Sequence, residues 1–192
     1  MISTFTALFD ANILFGARVR SLLMELAMSG LFRPRWSEDI HREWMTAVSK
    51  KRDIPIAQLE PTRIAMDESV PDGLVTGYQP LISSLNVPDP DDRHVLAAAI
   101  RCHASVIVTF NEQDFPGELL DSYGIHTRHP DQFILDVDGV DPGVLVESAR
   151  ADLAHYQRPP LSVDEYIDGL RAAGLPKTAD YLKKTKVLLT DN

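Results

Sequence analysis

Short apolar runs and helical apolar spacing alternate along the first two thirds of the chain. Residues 5–9 form an apolar run that ends at Asp10, and residues 105–109 form a second run rich in β-branched side chains. Runs of this kind predict strands that are buried on both faces of a parallel sheet. Residues 13–28 carry apolar side chains three and four apart, which predicts one amphipathic helix. Residues 125–127 predict a further short strand.

Capping signals place two more helices in this region. Ser37 suits a helix N-cap, and the two acids that follow it suit the positive end of a helix dipole. Asp89 suits the cap of a helix that has Pro90 at its first position and two acids in its first turn. Residues 33–36 are expected to be extended because they contain a proline, and residues 56–66 are expected to form one helix.

The pattern changes in the last quarter of the chain, where strand signals give way to helical spacing. Helices are predicted there over residues 144–156, 163–172 and 178–182, separated by proline and glycine. Alternating strands and helices followed by helices alone predict an α/β domain over residues 1–138 and a helical extension over residues 139–192.

Composition is that of an ordinary globular protein. The 192 residues are 44% hydrophobic and 24% charged, and the single cysteine, Cys102, allows no intrachain disulfide. No apolar run approaches the ~18–20 residues that a membrane helix needs, and the first residues lack the features of a signal peptide. We therefore expect a cytoplasmic protein with no membrane partner, in which Cys102 packs as a small apolar side chain.

Charge is distributed unevenly along the chain. The formal net charge is −9, which opposes binding to nucleic acid, yet residues 18–52 contain eight basic and only four acidic side chains. This asymmetry allows a local surface for an anionic ligand. A solvated helix face explains the same residues equally well.

Acidic and amide side chains follow the ends of the two predicted strands. Asp10 ends the first strand, and Asn111 and Asp114 lie just beyond the second. Asp92 begins the helix that precedes the second strand, and Glu43 lies at the margin of the buried face of its own helix. Because ligands bind beyond the carboxyl ends of parallel strands, we expect several of these side chains at one edge.

Clustered carboxylates repel one another, so a cation is needed to hold them ionised together. Oxygen ligands without cysteine or a histidine set favour Mg²⁺ or Mn²⁺. The six histidines show no transition-metal spacing, and His94 is expected to be structural. Each acid alone also has a structural explanation as a turn, cap or solvated helix residue, so the argument depends on their combination.

These residues occur in segments that together resemble the PIN domain, over roughly residues 5–136. The matching segments are Leu8-Phe9-Asp10-Ala11-Asn12, Ser37-Glu38-Asp39-Ile40 through Glu43-Trp44, Gly77-Tyr78-Gln79-Pro80-Leu81-Ile82, Pro88 through Ala99, and Val106-Ile107-Val108-Thr109-Phe110-Asn111 with Asp114-Phe115. Their order and spacing are similar to those of a PIN subgroup that includes VapC-type toxins. The segment from Asp92 to Ala99 with the Thr-Phe-Asn strand end is the more specific part.

The resemblance implies a three-layer α/β/α fold with a mostly parallel sheet and a Mg²⁺-dependent endoribonuclease. By position, Asp10 and Asp92 are the implied metal ligands and Glu43 is the second acid. Asp91 is the rival to Asp92, which we prefer because Val95 and Ala99 on its side of the helix are apolar.

One position departs from the family pattern. Many PIN proteins carry a fourth acid where this chain has the neutral Asn111, and Asp114 is expected to compensate from one helical turn away. The substitution leaves the number of metal ions open.

Further roles are expected for substrate and partners. The side chains expected to position the RNA substrate are Asn12, Asn111, Arg18, Arg35 and Arg42. The resemblance also implies a cognate VapB-type antitoxin and a homodimer, so that the chain would be the toxin of a type II toxin–antitoxin pair.

Other functional classes fit the sequence less well. A haloacid-dehalogenase-like phosphatase needs a second aspartate where this chain has Asn12, and a Rossmann-type nucleotide site needs a glycine-rich loop after the first strand. Serine hydrolases need a Gly-x-Ser-x-Gly motif, which is absent from the sequence. A PIN fold that binds RNA or a protein without cutting stays open because of the neutral Asn111.

Overall fold

The computed structural model describes residues 4–189 and has a five-stranded parallel sheet at its centre. The strands lie in the order β3-β2-β1-β4-β5. They are β1 (Phe5–Phe9), β2 (Phe32–Ser37), β3 (Leu74–Val75), β4 (Val106–Val108) and β5 (His126–Arg128). The central strand β1 and its neighbour β4 are buried because their residues are apolar, as the sequence predicts.

Contacts divide the chain into two compact units. The sheet unit consists of residues 1–15 and 32–129, and the helical unit consists of residues 16–31 and 130–192. The helical unit is therefore assembled from two separate stretches of sequence. The division expected from the sequence, into an α/β domain over residues 1–138 and a helical extension over residues 139–192, stays a prediction.

The helices of the sheet unit connect its parallel strands. They are α1 (Ala11–Phe15), α3 (Glu38–Arg52), α4 (Glu60–Ser69), α5 (Gln79–Ile82), α6 (Arg93–Arg101) and α7 (Gly117–Asp121). Right-handed crossovers place the β1–β2–β3 connections on one face of the sheet and the β3–β4–β5 connections on the other. The crossover direction therefore reverses at β1, where an open parallel sheet has its ligand crevice. The predicted α/β class with helices on both faces is confirmed.

The helical unit contains five α-helices within its described residues. They are α2 (Ala17–Ala27), α8 (Pro130–Val140), α9 (Val144–His155), α10 (Val163–Ala172) and α11 (Pro176–Lys184). The apolar face of α2 packs against α9, while α10 packs against α11. None of the helices within residues 4–189 combines the length and apolar character that a bilayer crossing requires.

Two predicted helices differ from the structure, and one strand was not predicted. The helix expected over residues 13–28 is two helices, because Gly16 has an extended backbone with φ −79° and ψ 112°. The helix expected over residues 56–66 is a 3₁₀ turn followed by α4, which has Pro61 in its first turn. Strand β3 was not predicted, because two residues are too few for a periodic pattern.

Both predicted helix caps are present, and they position residues discussed below. Ser37 Oγ accepts a hydrogen bond from the Ile40 backbone N–H at 3.2 Å and so fixes the start of α3. Asp89 Oδ1 accepts one from the Asp91 backbone N–H at 2.9 Å and starts the 3₁₀ turn that leads into α6. These caps satisfy backbone donors that the helices themselves leave unpaired.

A buried histidine joins β2, α3 and α4. His41 is fully buried, and its Nδ1 accepts a hydrogen bond from Trp44 Nε1 at 3.0 Å. Its Nε2 therefore carries the proton and donates to Asp67 Oδ1 at 3.1 Å. Asp67 also accepts from Trp36 Nε1 at 2.8 Å and from Arg63 at 3.1 Å. Burial lowers the pKa of His41 despite the Asp67 carboxylate, so the neutral ring is the stable form.

This network predicts that acid weakens the sheet unit. Because the folded pKa of His41 lies below its ordinary value of 6.5, the unfolded chain takes up a proton first as the pH falls. The contribution of His41 to the free energy of unfolding is therefore present above about pH 6.5 and declines below it. Denaturant unfolding at several pH values, followed by the fluorescence of Trp36 and Trp44, measures this decline.

The matched comparison uses two histidine variants. His41→Asn removes the titrating ring, so we expect a smaller loss of stability on acidification than in the unsubstituted protein. His103→Asn changes an exposed histidine whose positive φ of 53° suits asparagine, and it should leave the pH dependence unchanged. An identical pH dependence in the His41→Asn protein contradicts the interpretation.

Candidate active site

Asp10 lies directly after the central strand, and its carboxylate is held by three hydrogen bonds. Its side chain is 5% exposed. Oδ1 accepts from the Ala11 backbone N–H at 2.6 Å, and Oδ2 accepts from Asn12 Nδ2 and Thr109 Oγ1, each at 2.7 Å. A carboxylate oxygen has two lone pairs, so this arrangement fixes the orientation of the group and leaves acceptor capacity for a further ligand.

Asn12 and Thr109 connect the loops that follow β1 and β4. Asn12 Nδ2 also donates to Thr109 Oγ1 at 2.8 Å, and Asn12 Oδ1 accepts from the Phe110 backbone N–H at 3.1 Å. The Asn111 backbone N–H donates to Thr109 Oγ1 at 3.0 Å. Because the Thr109 hydroxyl accepts these bonds, its single proton is directed to Asp10.

Glu43 and Asp92 approach Asp10 from two different helices. Glu43 lies on α3, and its Oε2 is 3.3 Å from His94 Nε2 on α6. Asp92 ends the 3₁₀ turn that precedes α6, where its backbone N–H donates to the Asp89 carbonyl at 3.1 Å. The Glu43 side chain is 51% exposed, so it borders solvent while Asp10 forms the floor of the site.

The acids are close enough to change one another's proton affinity. Burial, with a further contribution from the Glu43 charge, raises the pKa of Asp10 to about 6 even though the Thr109 hydrogen bond lowers it. Burial also raises the pKa of Asp92 to about 7. Four negative neighbours add to the shift at Asp92, in decreasing order of effect Asp10, Asp114, Asp89 and Glu43. The site therefore holds concentrated negative charge that the surrounding protein does not neutralise.

His94 is the positive partner within this group. Burial by itself lowers the pKa of His94, but the hydrogen bond and charge of Glu43 and the charges of Asp39 and Asp10 outweigh it, so that the pKa is raised. The protonated ring is favoured because it faces carboxylates. His94 thus orients Glu43 and partly offsets its charge.

The donor chemistry of the site fits a hard divalent cation. Within residues 4–189, no three histidine, cysteine or acidic side chains already form a closed metal-ligand group. Mg²⁺ does not need one, because it keeps several water ligands and is usually bound by one or two carboxylates together with substrate phosphates. The mutual repulsion at Asp10 and Asp92 supplies the physical reason for binding such an ion.

A groove of about 540 Å³ adjoins Glu43 and His94 along the exposed face of α3. It is lined by Asp39, Arg42, Glu43, Thr46, Ala47, Lys50, Asp91 and His94. Arg42 is exposed and pairs with Asp39 Oδ1 at 2.7 Å, while Tyr78 donates to Asp39 Oδ2 at 2.6 Å. Two basic side chains, Arg42 and Lys50, therefore border a groove that begins beside the acids.

The structure brings most of the expected site residues together. Asp10, Asn12, Glu43 and Asp92 form the cluster described above, and the charge of Asp114 acts on Asp92. Asn111 is exposed at the end of β4, and it contacts the cluster through its backbone.

Of the other two expected arginines, one lies outside the acidic cluster and one belongs to the other compact unit. Arg35 is on β2, and its charge acts on Cys102, at the opposite end of α6 from Asp92. A nine-residue helix is about 13 Å long, so Arg35 is not part of the acidic cluster. Arg18 belongs to the helical unit, and its role with RNA stays a prediction.

Two residues of the cluster were not assigned a part in it from the sequence. Thr109 is a polar side chain directly after the apolar strand β4, level with Asp10 after β1, and that position was a usable signal. His94 was expected to be structural, whereas the structure places it on Glu43. Its partner lies on another helix, so no local pattern reveals the pair.

Comparison with known proteins gives an independent result. A family model described as PIN domain matches residues 6–113, and one described as VapC50 C-terminal domain matches residues 130–184. A protein of Mycobacterium tuberculosis (strain ATCC 25618 / H37Rv) named “Putative ribonuclease VapC50” is 50% identical over an alignment of 72 residues, which covers 35% of this chain and 42% of the relative. No solved structure matches the chain.

The PIN model includes the strands β1 and β4 and the residues Asp10, Glu43 and Asp92. Since this model matches more than half of the sequence, the chain belongs to the PIN domain family.

Proposed function

We propose that this protein is a divalent-metal-dependent endoribonuclease of the VapC type. The observation that carries the proposal is the convergence of Asp10, Glu43, Asp92 and Asp114 at the carboxyl end of β1, where burial and mutual repulsion raise the pKa values of Asp10 and Asp92. A protein gains nothing structurally from four carboxylates held together, whereas phosphodiester hydrolysis uses a cation at such a place.

Asp10 and Asp92 are the proposed ligands of Mg²⁺ or Mn²⁺. When bound, such an ion activates water and stabilises the charge that develops on the phosphate. Asp10 is the fixed ligand, because three hydrogen bonds hold its two oxygens. Asp92 is the adjustable one, because it is half-buried at the start of α6 and its carboxyl titrates near neutrality.

Glu43 and Asp114 are the proposed residues that orient the attacking water. His94 holds Oε2 of Glu43, so that Oε1 can accept a hydrogen bond from the water. Asp114 takes the part of the family acid that Asn111 does not supply, because its charge acts on Asp92. Asn111 is exposed beside them and is the proposed contact for the substrate backbone.

RNA is the proposed substrate, and the groove along α3 is its proposed path. Arg42 and Lys50 border this groove four and twelve residues after Glu38, the first residue of α3, and are available to contact phosphates. Arg42 stays close to the site because its ion pair with Asp39 holds it there. Asn12 acts indirectly, by fixing Asp10 and the loop after β4.

A role in a toxin–antitoxin pair is part of the proposal. Its support is the name of the mycobacterial relative, together with the matching model of the VapC50 C-terminal domain. The proposed partners are a VapB-type antitoxin that blocks the nuclease and a second copy of the chain. Growth arrest on expression that requires Asp10 and is relieved by the antitoxin tests this role.

The first prediction concerns catalysis. Purified protein should cleave RNA with Mg²⁺ or Mn²⁺ and lose this activity on chelation, and Asp10→Asn and Asp92→Asn should each lower the rate by about a hundredfold or more. The matched control is Glu68→Gln, which neutralises an exposed acid on α4 and should cleave normally. Cleavage that survives chelation, or that is undiminished in Asp10→Asn, rules the proposal out.

A second prediction separates charge repulsion from loss of folding. Without metal, Asp92→Asn should raise the melting temperature by roughly 2 °C or more, because it removes a carboxylate that its neighbours repel. The gain should be larger at about pH 8 than at about pH 6, since a carboxyl with a folded pKa of about 7 stabilises when protonated and loses that contribution as the pH rises.

The same variant should lose the rise in melting temperature that Mg²⁺ gives to the unsubstituted protein. The control is Asp91→Asn, a neighbouring exposed acid, which should keep the metal-induced rise. If Asp91→Asn abolishes the rise and Asp92→Asn does not, the assigned metal ligand is wrong. A metal-induced rise without any RNA cleavage favours a PIN fold that binds without cutting.

A third prediction concerns the hydroxyl on Asp10. Thr109→Val removes a hydrogen bond that lowers the pKa of Asp10, so protons should compete better with the metal. The Mg²⁺ concentration for half-maximal cleavage should therefore rise, more strongly at about pH 6 than at about pH 8. Thr109→Ser keeps the hydroxyl and should restore the original Mg²⁺ requirement. An unchanged requirement in Thr109→Val shows that the hydroxyl has no such role.

A further inference from the structure

The helical unit has its own polar cavity, of about 620 Å³. Arg18 at the start of α2 forms one wall, and the end of α9 with the segment that follows it forms the rest, through His155, Tyr156, Gln157, Arg158 and Leu161. Both stretches belong to the helical unit, so the cavity is complete within it. Its volume is in the range of small-ligand sites in proteins.

The guanidinium of Arg18 is held in a fixed plane. Its Cζ lies 5.3 Å from the centre of the Tyr156 ring, in cation–π contact. On α10, a Cβ added to Gly169 would be 2.6 Å from Cζ and Nε of Arg18. Any residue larger than glycine at this position therefore displaces the guanidinium, and Gly169 gives it room.

The charge of this pair of arginines is not neutralised by the protein. Within residues 4–189, neither Arg18 nor Arg158 has a carboxylate at ion-pair distance, and Nη1 of Arg18 has no hydrogen-bond acceptor. In a chain with 28 acids and 19 lysines and arginines, two unpaired arginines at one cavity are a specific feature.

Neighbouring acids are already satisfied by other groups. The buried carboxylate of Asp152 accepts hydrogen bonds from the hydroxyls of Ser21 and Tyr166. Glu25 pairs with His155 Nε2 at 2.8 Å. Neither acid is therefore the partner that holds Arg18 in place.

Helix energetics do not explain Arg18 either. It lies in the first turn of α2, where the helix dipole is positive and disfavours a cation. The cavity therefore combines a guanidinium held by its neighbours with a second, exposed guanidinium. An anion is the ligand that this combination suits.

We propose that this cavity is a phosphate-binding pocket, with Arg18 as the fixed contact and Arg158 as the exposed one. The planar fork of arginine matches two phosphate oxygens, which a lysine does not. The phosphate can belong to an RNA strand or to a free nucleotide. The pocket belongs to the helical unit and the carboxylate cluster to the sheet unit, so binding can be measured in a protein that does not cleave RNA.

The test measures binding in the chain of 192 residues with the Asp10→Asn change and with chelator, so that no RNA is cut. A single-stranded RNA with a fluorescent label is titrated by anisotropy against this protein and against versions that also carry Arg158→Gln, Arg18→Gln or Gly169→Ala. Each added change should weaken binding roughly tenfold. The two glutamine variants should also reduce the salt dependence of binding by about one counterion each.

Gly169→Ala keeps every charge and only displaces the Arg18 guanidinium. It therefore shows whether binding depends on the position of this group or only on the net charge of the protein. Lys183→Gln removes an exposed cation of α11 outside the cavity and should bind RNA normally. Arg158 is exposed at the cavity rim, so its variant tests the proposal even if Arg18→Gln lowers stability.

A second arm identifies the source of the phosphate. Inorganic phosphate and adenosine monophosphate are added in melting experiments with the same proteins. If adenosine monophosphate raises the melting temperature only when Arg18 and Arg158 are present, and the arginine variants bind RNA normally, the ligand of the pocket is a free nucleotide. If the arginine variants lose RNA binding and adenosine monophosphate gives no rise in melting temperature, the ligand is an RNA strand. If neither readout depends on the two arginines, the pocket proposal is overturned, whatever the nuclease assay shows.

Discussion

The negative charge held at the carboxyl end of β1 is the constraint on which the rest of the sheet unit depends. Asp10 is almost fully buried there, and burial alone opposes its ionisation. Three hydrogen bonds hold the carboxylate in one orientation but do not neutralise it. A cation bound at this point would therefore stabilise the ionised carboxylate, which is the property that a divalent-cation site requires.

The register of the parallel strands determines which residues lie next to Asp10. Phe9 on β1 is paired with Val108 on β4, so Asp10 and Thr109 leave the sheet at the same level. The reversal of strand order at β1 then lets α3 and α6 bring Glu43 and Asp92 from separate connections. Residues distant in sequence converge because the strands end together, with no need for a dedicated loop.

Local signals in the sequence were sufficient for much of this architecture. Strand β1 and the caps at Ser37 and Asp89 depend on neighbouring residues, and they could be predicted. The pairing of Glu43 with His94 depends on a contact between two helices that are distant in sequence, which periodicity does not encode. Counting basic residues likewise could not distinguish Arg42, beside the acids, from Arg35 near Cys102.

The extended backbone at Gly16 has a consequence for how the chain is made. It assigns α2 to the helical unit, although α2 is synthesised before most of the sheet and its partner α9 follows the whole sheet unit. The apolar face of α2 therefore stays exposed until α9 has been synthesised, after the strands between them. This face is formed by Val19, Leu22, Leu23 and Leu26. This order of synthesis favours early shielding of the apolar face of α2 from other chains. Removing α9 from the C-terminal side would leave that face exposed to solvent.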